Sequence, residues 1–158
     1  MLSFLILSPL FAVAVLLFTE KTNIWFHRNF ALFWSLFVFN FSILLLFIFD
    51  PTFSGFQLFC CIDWLVLANS NVVLGVDGVA LFMIILTSFL IPVCILLSWS
   101  PTVKSNIKEY NIAFFVLESI LFGVFCSLDL LLFYLLFEAV LIPMFFIVGV
   151  YGSRDRKI

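Results

Sequence analysis

Charge is what this sequence has least of. Seven Lys and Arg, nine Asp and Glu and one His are spread over 158 residues, so charged residues make up 10% and hydrophobic ones 66%. A soluble domain carries about 25% charged and about 45–50% apolar residues, so a water-soluble globule is excluded and an integral membrane protein is expected. A single histidine and four cysteines, Cys60, Cys61, Cys94 and Cys126, show no metal-ligand spacing, and adjacent Cys60 and Cys61 are poorly placed for a disulfide. The cysteines read as small apolar residues. Neither GxGxxG, P-loop, CxxC nor an axial-ligand pair occurs. No cofactor, metal or nucleic-acid partner is therefore expected for this chain.

What the sequence has instead is long apolar runs. The first, Leu2 to Phe18, starts without a basic residue or an obvious small-residue cleavage site, so it reads as a span and not a cleaved signal. Pro9 within it has no N–H for the Leu5 carbonyl and predicts a bend. A connector over 19–28 follows, with Trp25 as an interfacial ring and His27 beside Arg28 as an ordinary interfacial residue. The second run closes at Asp50-Pro51, and its Asn40 and Ser42 read as interhelical hydrogen-bonding groups. From Asp50 to Val76 two β-prone pieces flank the turn residues Ala68-Asn69-Ser70-Asn71, which predicts a hairpin on the membrane surface. The third run opens on Asp77 as a cap and contains Pro92.

Residues 111–152 are almost continuously apolar. One helix of that length would be about 63 Å long, twice a bilayer, so the run must hold two spans. The break belongs at residues 126–129, where Ser127 or Asp129 can cap the next helix. The fold class expected is an all-α membrane protein with five spans, near 2–18, 29–49, 76–99, 111–127 and 129–151, and a loop or hairpin over 50–75. All seven basic residues lie in 19–28, 100–110 or 153–158. Five spans put these segments on one side, and the positive-inside rule makes that side the cytoplasm or matrix, with the C-terminus inside.

Two carboxylates remain inside the apolar runs. Glu138 lies about 13 Å along its helix from Asp129, near the midplane of a core about 30 Å thick. A central acid costs about 2.5–3.5 kcal/mol on insertion scales, so it is expected to face protein or water. Pro143, five residues on, leaves the Ala139 carbonyl without its helical donor. Glu118 lies at a similar depth on the preceding antiparallel span, about 12 Å from the basic side. Both are candidate proton-path residues, able to exchange a proton or share a cation; the alternative for each is interhelical hydrogen-bond glue.

Two stretches, LGVDGVALFMIILTSFLIPVCILLSW over 74–99 and SLDLLLFYLLFEAVLIPMFFIVGVYGSRDRKI over 127–158, closely resemble the antiporter-like family, in particular the subunit 4 branch of mitochondrial NADH–ubiquinone oxidoreductase, complex I. The resemblance implies a proton-pumping subunit of the membrane arm, in the mitochondrial inner membrane, with no cofactor of its own. It implies other membrane-arm subunits and membrane lipids as partners. Glu138 matches the family's fifth-helix glutamate, which pairs there with a lysine on a later, broken helix; Glu118 matches no family-wide role. That lysine lies beyond these five spans, so the resemblance implies that another polypeptide, or a region beyond this sequence, completes the fold. A cation/proton antiporter subunit and a non-catalytic membrane scaffold are the competing readings.

Overall fold

The computed structural model describes residues 1–20, 23–50, 52–53, 55–65, 70–99 and 107–151. Within them the chain forms α1 (Leu2–Phe18), α2 (Ile24–Ile48), β1 (Gln57–Leu65), β2 (Ser70–Val76), α3 (Gly78–Leu97), α4 (Ile107–Cys126) and α5 (Leu130–Tyr151). Residues 66–69, which include Ala68 and Asn69 of the expected turn, the connector over 100–106 and the basic tail lie outside the described residues. Four of the helices, α2 to α5, are long and apolar enough to cross a membrane, and α1 is a shorter apolar helix of 17 residues.

Helix boundaries depart from the sequence expectation where apolar or amphipathic residues extend a helix past its polar signal. Ile24, Trp25 and Phe26 belong to α2, which therefore starts before the expected 29 and carries His27 in its first turns. Similarly α4 starts at Ile107, not 111, and takes in Lys108. That lysine donates from Nζ to the carbonyls of Leu17 (3.1 Å) and Thr19 (2.6 Å). It thereby satisfies carbonyls at the C-terminus of α1, where a cation also opposes the helix dipole. At the other end of α3, Val76 belongs to the strand, and Asp77 caps the helix by accepting from the Ala80 N–H at 2.7 Å. Asp129 caps α5 through the Leu132 N–H, whereas Ser127 donates back to the Val124 carbonyl and closes α4.

The hairpin is antiparallel, pairing Cys60 with Leu74 and Ile62 with Val72. A register shift between Gln57 and Cys60 coincides with a positive φ at Leu58 (58°), a left-handed conformation unusual for a branched residue. Ser70 and Asn71 are paired in β2 and are not turn residues. Val73 accepts from the Leu128 N–H (2.9 Å), and Gly75 lies so close to Leu128 that a Cβ there would meet it at 2.7 Å. The hairpin thus seals the end of the bundle where α4 turns into α5.

Helix α4 is the hub: it packs against α1, α2, α3 and α5, as well as β2. Where helices meet, small and polar residues alternate with larger apolar ones on the buried faces. In α2 the buried stripe is His27, Ala31, Ser35, Val38, Ser42 and Leu45, at spacings of four or three. Ser42 meets Ser88 of α3 at 2.6 Å, as an interhelical pair. Asn40 does not: it is exposed and donates to the Leu36 carbonyl of its own helix, because its position falls off that stripe.

Two apolar clusters fill the bundle. One, at the hairpin end, includes Leu5, Val38, Ile84 and Phe122. The other, toward the opposite end, includes Ala12, Ala31, Ile91 and Phe115. Between these levels, each of the first four helices places polar groups in the interior: Ser8, Ser35, Thr87 with Ser88, and Glu118 with Ser119.

Candidate functional site

Glu118 and Glu138 are each eight residues from the end of their helix at the α4–α5 turn. At about 1.5 Å per residue both lie about 12 Å from that turn, at one level. Their surroundings differ completely. Glu118 is fully buried, and neither carboxyl oxygen has a hydrogen-bond partner among the described residues. Beside it, Ser119 donates to the Ile6 carbonyl at 2.7 Å, locking α4 onto α1. Glu138 is exposed. It sits on the side of α5 away from Leu132, Leu136 and Pro143, which carry the packing toward α4. Tyr134 lies one turn earlier on the same side of α5 and is likewise exposed. The structure therefore does not join the two acids, and direct exchange between them through the interior of this chain is not what the geometry provides.

The approach of α5 to α4 runs through Gly123, where a Cβ would meet Leu136 Cδ1 at 2.9 Å. Helix α5 runs without a break through Pro143. Pro143 also lines an apolar groove of about 380 Å³ with Leu17, Ile112, Val116 and Phe146. At Pro9 the carbonyl of Leu5, which lacks its helical donor, receives the Ser8 hydroxyl at 3.0 Å. Proline here leaves an acceptor that a neighbouring hydroxyl satisfies.

His27 is a correction to the interfacial reading, since it is 1% exposed. Its Nε2 lies 2.8 Å from the Glu20 carbonyl, and its own carbonyl accepts from Asn111 Nδ2 at 3.2 Å. His27 Nδ1 and Asn111 Oδ1 are buried without a partner among the described residues. Asn111 is the residue that sequence reading passed over, as the first polar position of a span. Its signal was its spacing, seven residues before Glu118 and so on the same face of α4. Phe115, fully buried between them, belongs to the apolar cluster and separates the two.

Among the described residues no group of three or more His, Cys, Asp or Glu forms a metal-binding cluster. What the arrangement offers chemically is two intramembrane carboxyls, one enclosed and one presented outward.

No protein-family model matches the chain. It is 50% identical over 157 residues to NADH-ubiquinone oxidoreductase chain 4 of Arabidopsis thaliana, covering 99% of this chain and 32% of the relative. The chain 4 protein of Marchantia polymorpha is 48% identical over the same share of both. In structure, the chain resembles a chain of respiratory complex I from Thermus thermophilus with bound NADH, with a TM-score of 0.79. That likeness covers 99% of this chain and 30% of the other at 22% identity, which speaks for the fold. The residues quoted from 74–99 and 127–158 are thus part of a likeness to NADH–ubiquinone oxidoreductase chain 4 proteins that extends over almost the whole sequence, which spans about a third of the length of the relatives it matches.

Proposed function

We propose that this chain is a proton-translocating part of the membrane arm of respiratory NADH–ubiquinone oxidoreductase, complex I, in the mitochondrial inner membrane. The observation that carries the reading is the half-identity to chain 4 along 99% of the sequence, which includes the stretch around Glu138. In this reading Glu138 is the proton-path residue, and Glu118 is an accessory one. The chain itself performs no redox step; it serves an enzyme whose other subunits oxidise NADH and reduce quinone. Its partners are the other membrane-arm subunits and the surrounding lipid, and the C-terminus faces the matrix, in keeping with the one-sided Lys and Arg distribution.

The exposed position of Glu138 supports a role completed from outside these residues. A carboxylate facing hydrocarbon is costly, whereas one facing a cation or water is not. A lysine from a helix beyond residues 1–158, on the same polypeptide or a separate one, is the partner proposed. The test is Glu138→Gln in the assembled enzyme, which keeps size and hydrogen bonding but removes the ionisable state. Proton-coupled NADH–quinone turnover falls, while assembly and NADH oxidation by an artificial acceptor persist. A glutamine variant that assembles and pumps normally would sink the role and favour a scaffold.

A further inference from the structure

The serine hydroxyls and the Trp34 indole that lie between the two apolar clusters, at the level of Glu118, already donate elsewhere. At its level the Trp34 indole N–H donates to the Ser8 carbonyl at 2.9 Å. The hydroxyls of Ser8 and Ser35 donate to the carbonyls of Leu5 and Leu32, each at 3.0 Å. Ser119 donates to Ile6, and Ser88 is engaged with Ile85 and Ser42. These hydroxyls keep lone pairs to accept with, but they have no second proton to give. Glu118 needs donors if ionised and at least one acceptor if neutral, and neither oxygen has any partner among the described residues. A buried carboxyl left so is costly in both protonation states.

We infer that Glu118 holds an enclosed site for water at the mid-level of the four-helix core. Water is the ligand that fits, because it both donates and accepts and a buried molecule typically makes about three hydrogen bonds. Its protons go to the Glu118 oxygens and to the free lone pairs of the serine hydroxyls. A neutral Glu118 gives its own O–H to the same water. The site is closed on one side by the level of Phe122 and Ile84, and on the other by that of Phe115 and Ile91. Hydration changes what Glu118 is: an acid in contact with water can exchange its proton, whereas a dry one is an inert strut. The inference deepens the accessory role given to Glu118 above, but it is independent of Glu138, because it concerns the resting enzyme.

The test is an experimental structure of the intact membrane complex containing this chain, without turnover, at a resolution that shows ordered water. At least one water is expected within hydrogen-bonding distance of a Glu118 oxygen and of a serine hydroxyl of the same level. Glu118→Gln keeps that water, since the amide still donates and accepts, and Glu118→Leu loses it. A dry Glu118, a cation in place of water, or a protein donor seated directly on the carboxyl overturns the inference. So does water that stays in place in the leucine variant. If the leucine variant does not assemble, the unmodified complex and the glutamine variant still decide. Normal pumping by Glu138→Gln would defeat the proposed function and leave this site untouched.

Discussion

Helices α4 and α5 are consecutive, antiparallel and similar in length, and each carries one carboxylate at the same level. Yet 56% of the apolar stretch of α4 is buried and only 6% of that of α5. The difference teaches that hydropathy identifies a span but not its neighbours. In water an exposed face must be polar, so an amphipathic pattern reveals which side is inside. In a bilayer the outer face is as apolar as the core, and packing is selected by small residues and hydrogen bonds. Thus α4 presents Ala113, Ser119 and Gly123 inward, and it is wrapped by four helices. By contrast α5 meets this chain along one narrow face and turns Phe137, Leu141, Ile142 and Phe145 outward.

The sharpest way to break the comparison is to neutralise both acids in the assembled enzyme. Glu138→Gln is expected to lower proton-coupled turnover by roughly a hundredfold, the lower end of acid–base effects. Glu118→Gln is expected to lower it less, because its site is enclosed. Equal losses measured by NADH–quinone turnover would erase the functional contrast between the helices.

Packing is the next difference to probe. Phe122 of α4 is fully buried and Phe145 of α5 is 80% exposed. Phe122→Ala should cost about 3–5 kcal/mol through the cavity it leaves. In the isolated chain Phe145→Ala should stay within about 0.5 kcal/mol, as exposed substitutions do. Unfolding in detergent measures both. If Phe145→Ala is costly only in the assembled complex, the outward face of α5 is an interface.

A smaller effect is expected at Trp34, whose indole ties α2 to α1 through the Ser8 carbonyl. Trp34→Phe removes the donor and should cost about 1 kcal/mol in the same unfolding measurement. A loss confined to the hairpin end, with the α1–α2 contact intact, would contradict this role.

The smallest effect lies outside the bundle. Asp50 accepts from the Thr52 hydroxyl at 2.7 Å and N–H at 2.9 Å, and these bonds hold its carboxyl below the usual aspartate value. A lowered folded pKa contributes stability above the unfolded value, and that contribution is lost as pH falls through the folded one. Hydrogen exchange at the Thr52 amide should therefore speed up in acid below the ordinary aspartate range. The same acceleration at neutral pH in Asp50→Asn would instead locate the effect in charge alone.

Much of the architecture was legible in the chain. Asp77 and Asp129 announce the starts of α3 and α5, because a short carboxylate before an apolar run satisfies the first orphan amides. The hairpin announces itself by β-prone residues around a turn, and the basic residues by their confinement to alternate connectors. Even the common depth of Glu118 and Glu138 follows from counting residues at a fixed rise. Beyond counting, the sequence stops. It could not say that His27 is buried under α4, that Asn40 turns off the interhelical stripe, or that one glutamate is walled in while the other looks outward. The stretches around the two acids, FFVLESILF and LLFEAVLIP, are both strongly apolar, and only Ser119 hints at a difference. What separates them is how closely other helices approach, which depends on Ser119 reaching Ile6 and on Gly123 admitting Leu136. Local sequence sets the length, depth and caps of each span, because these depend on backbone geometry and transfer from water. Only the tertiary structure decides which carboxyl meets protein, because in an apolar solvent the partner is chosen by shape and hydrogen bonds across distant residues.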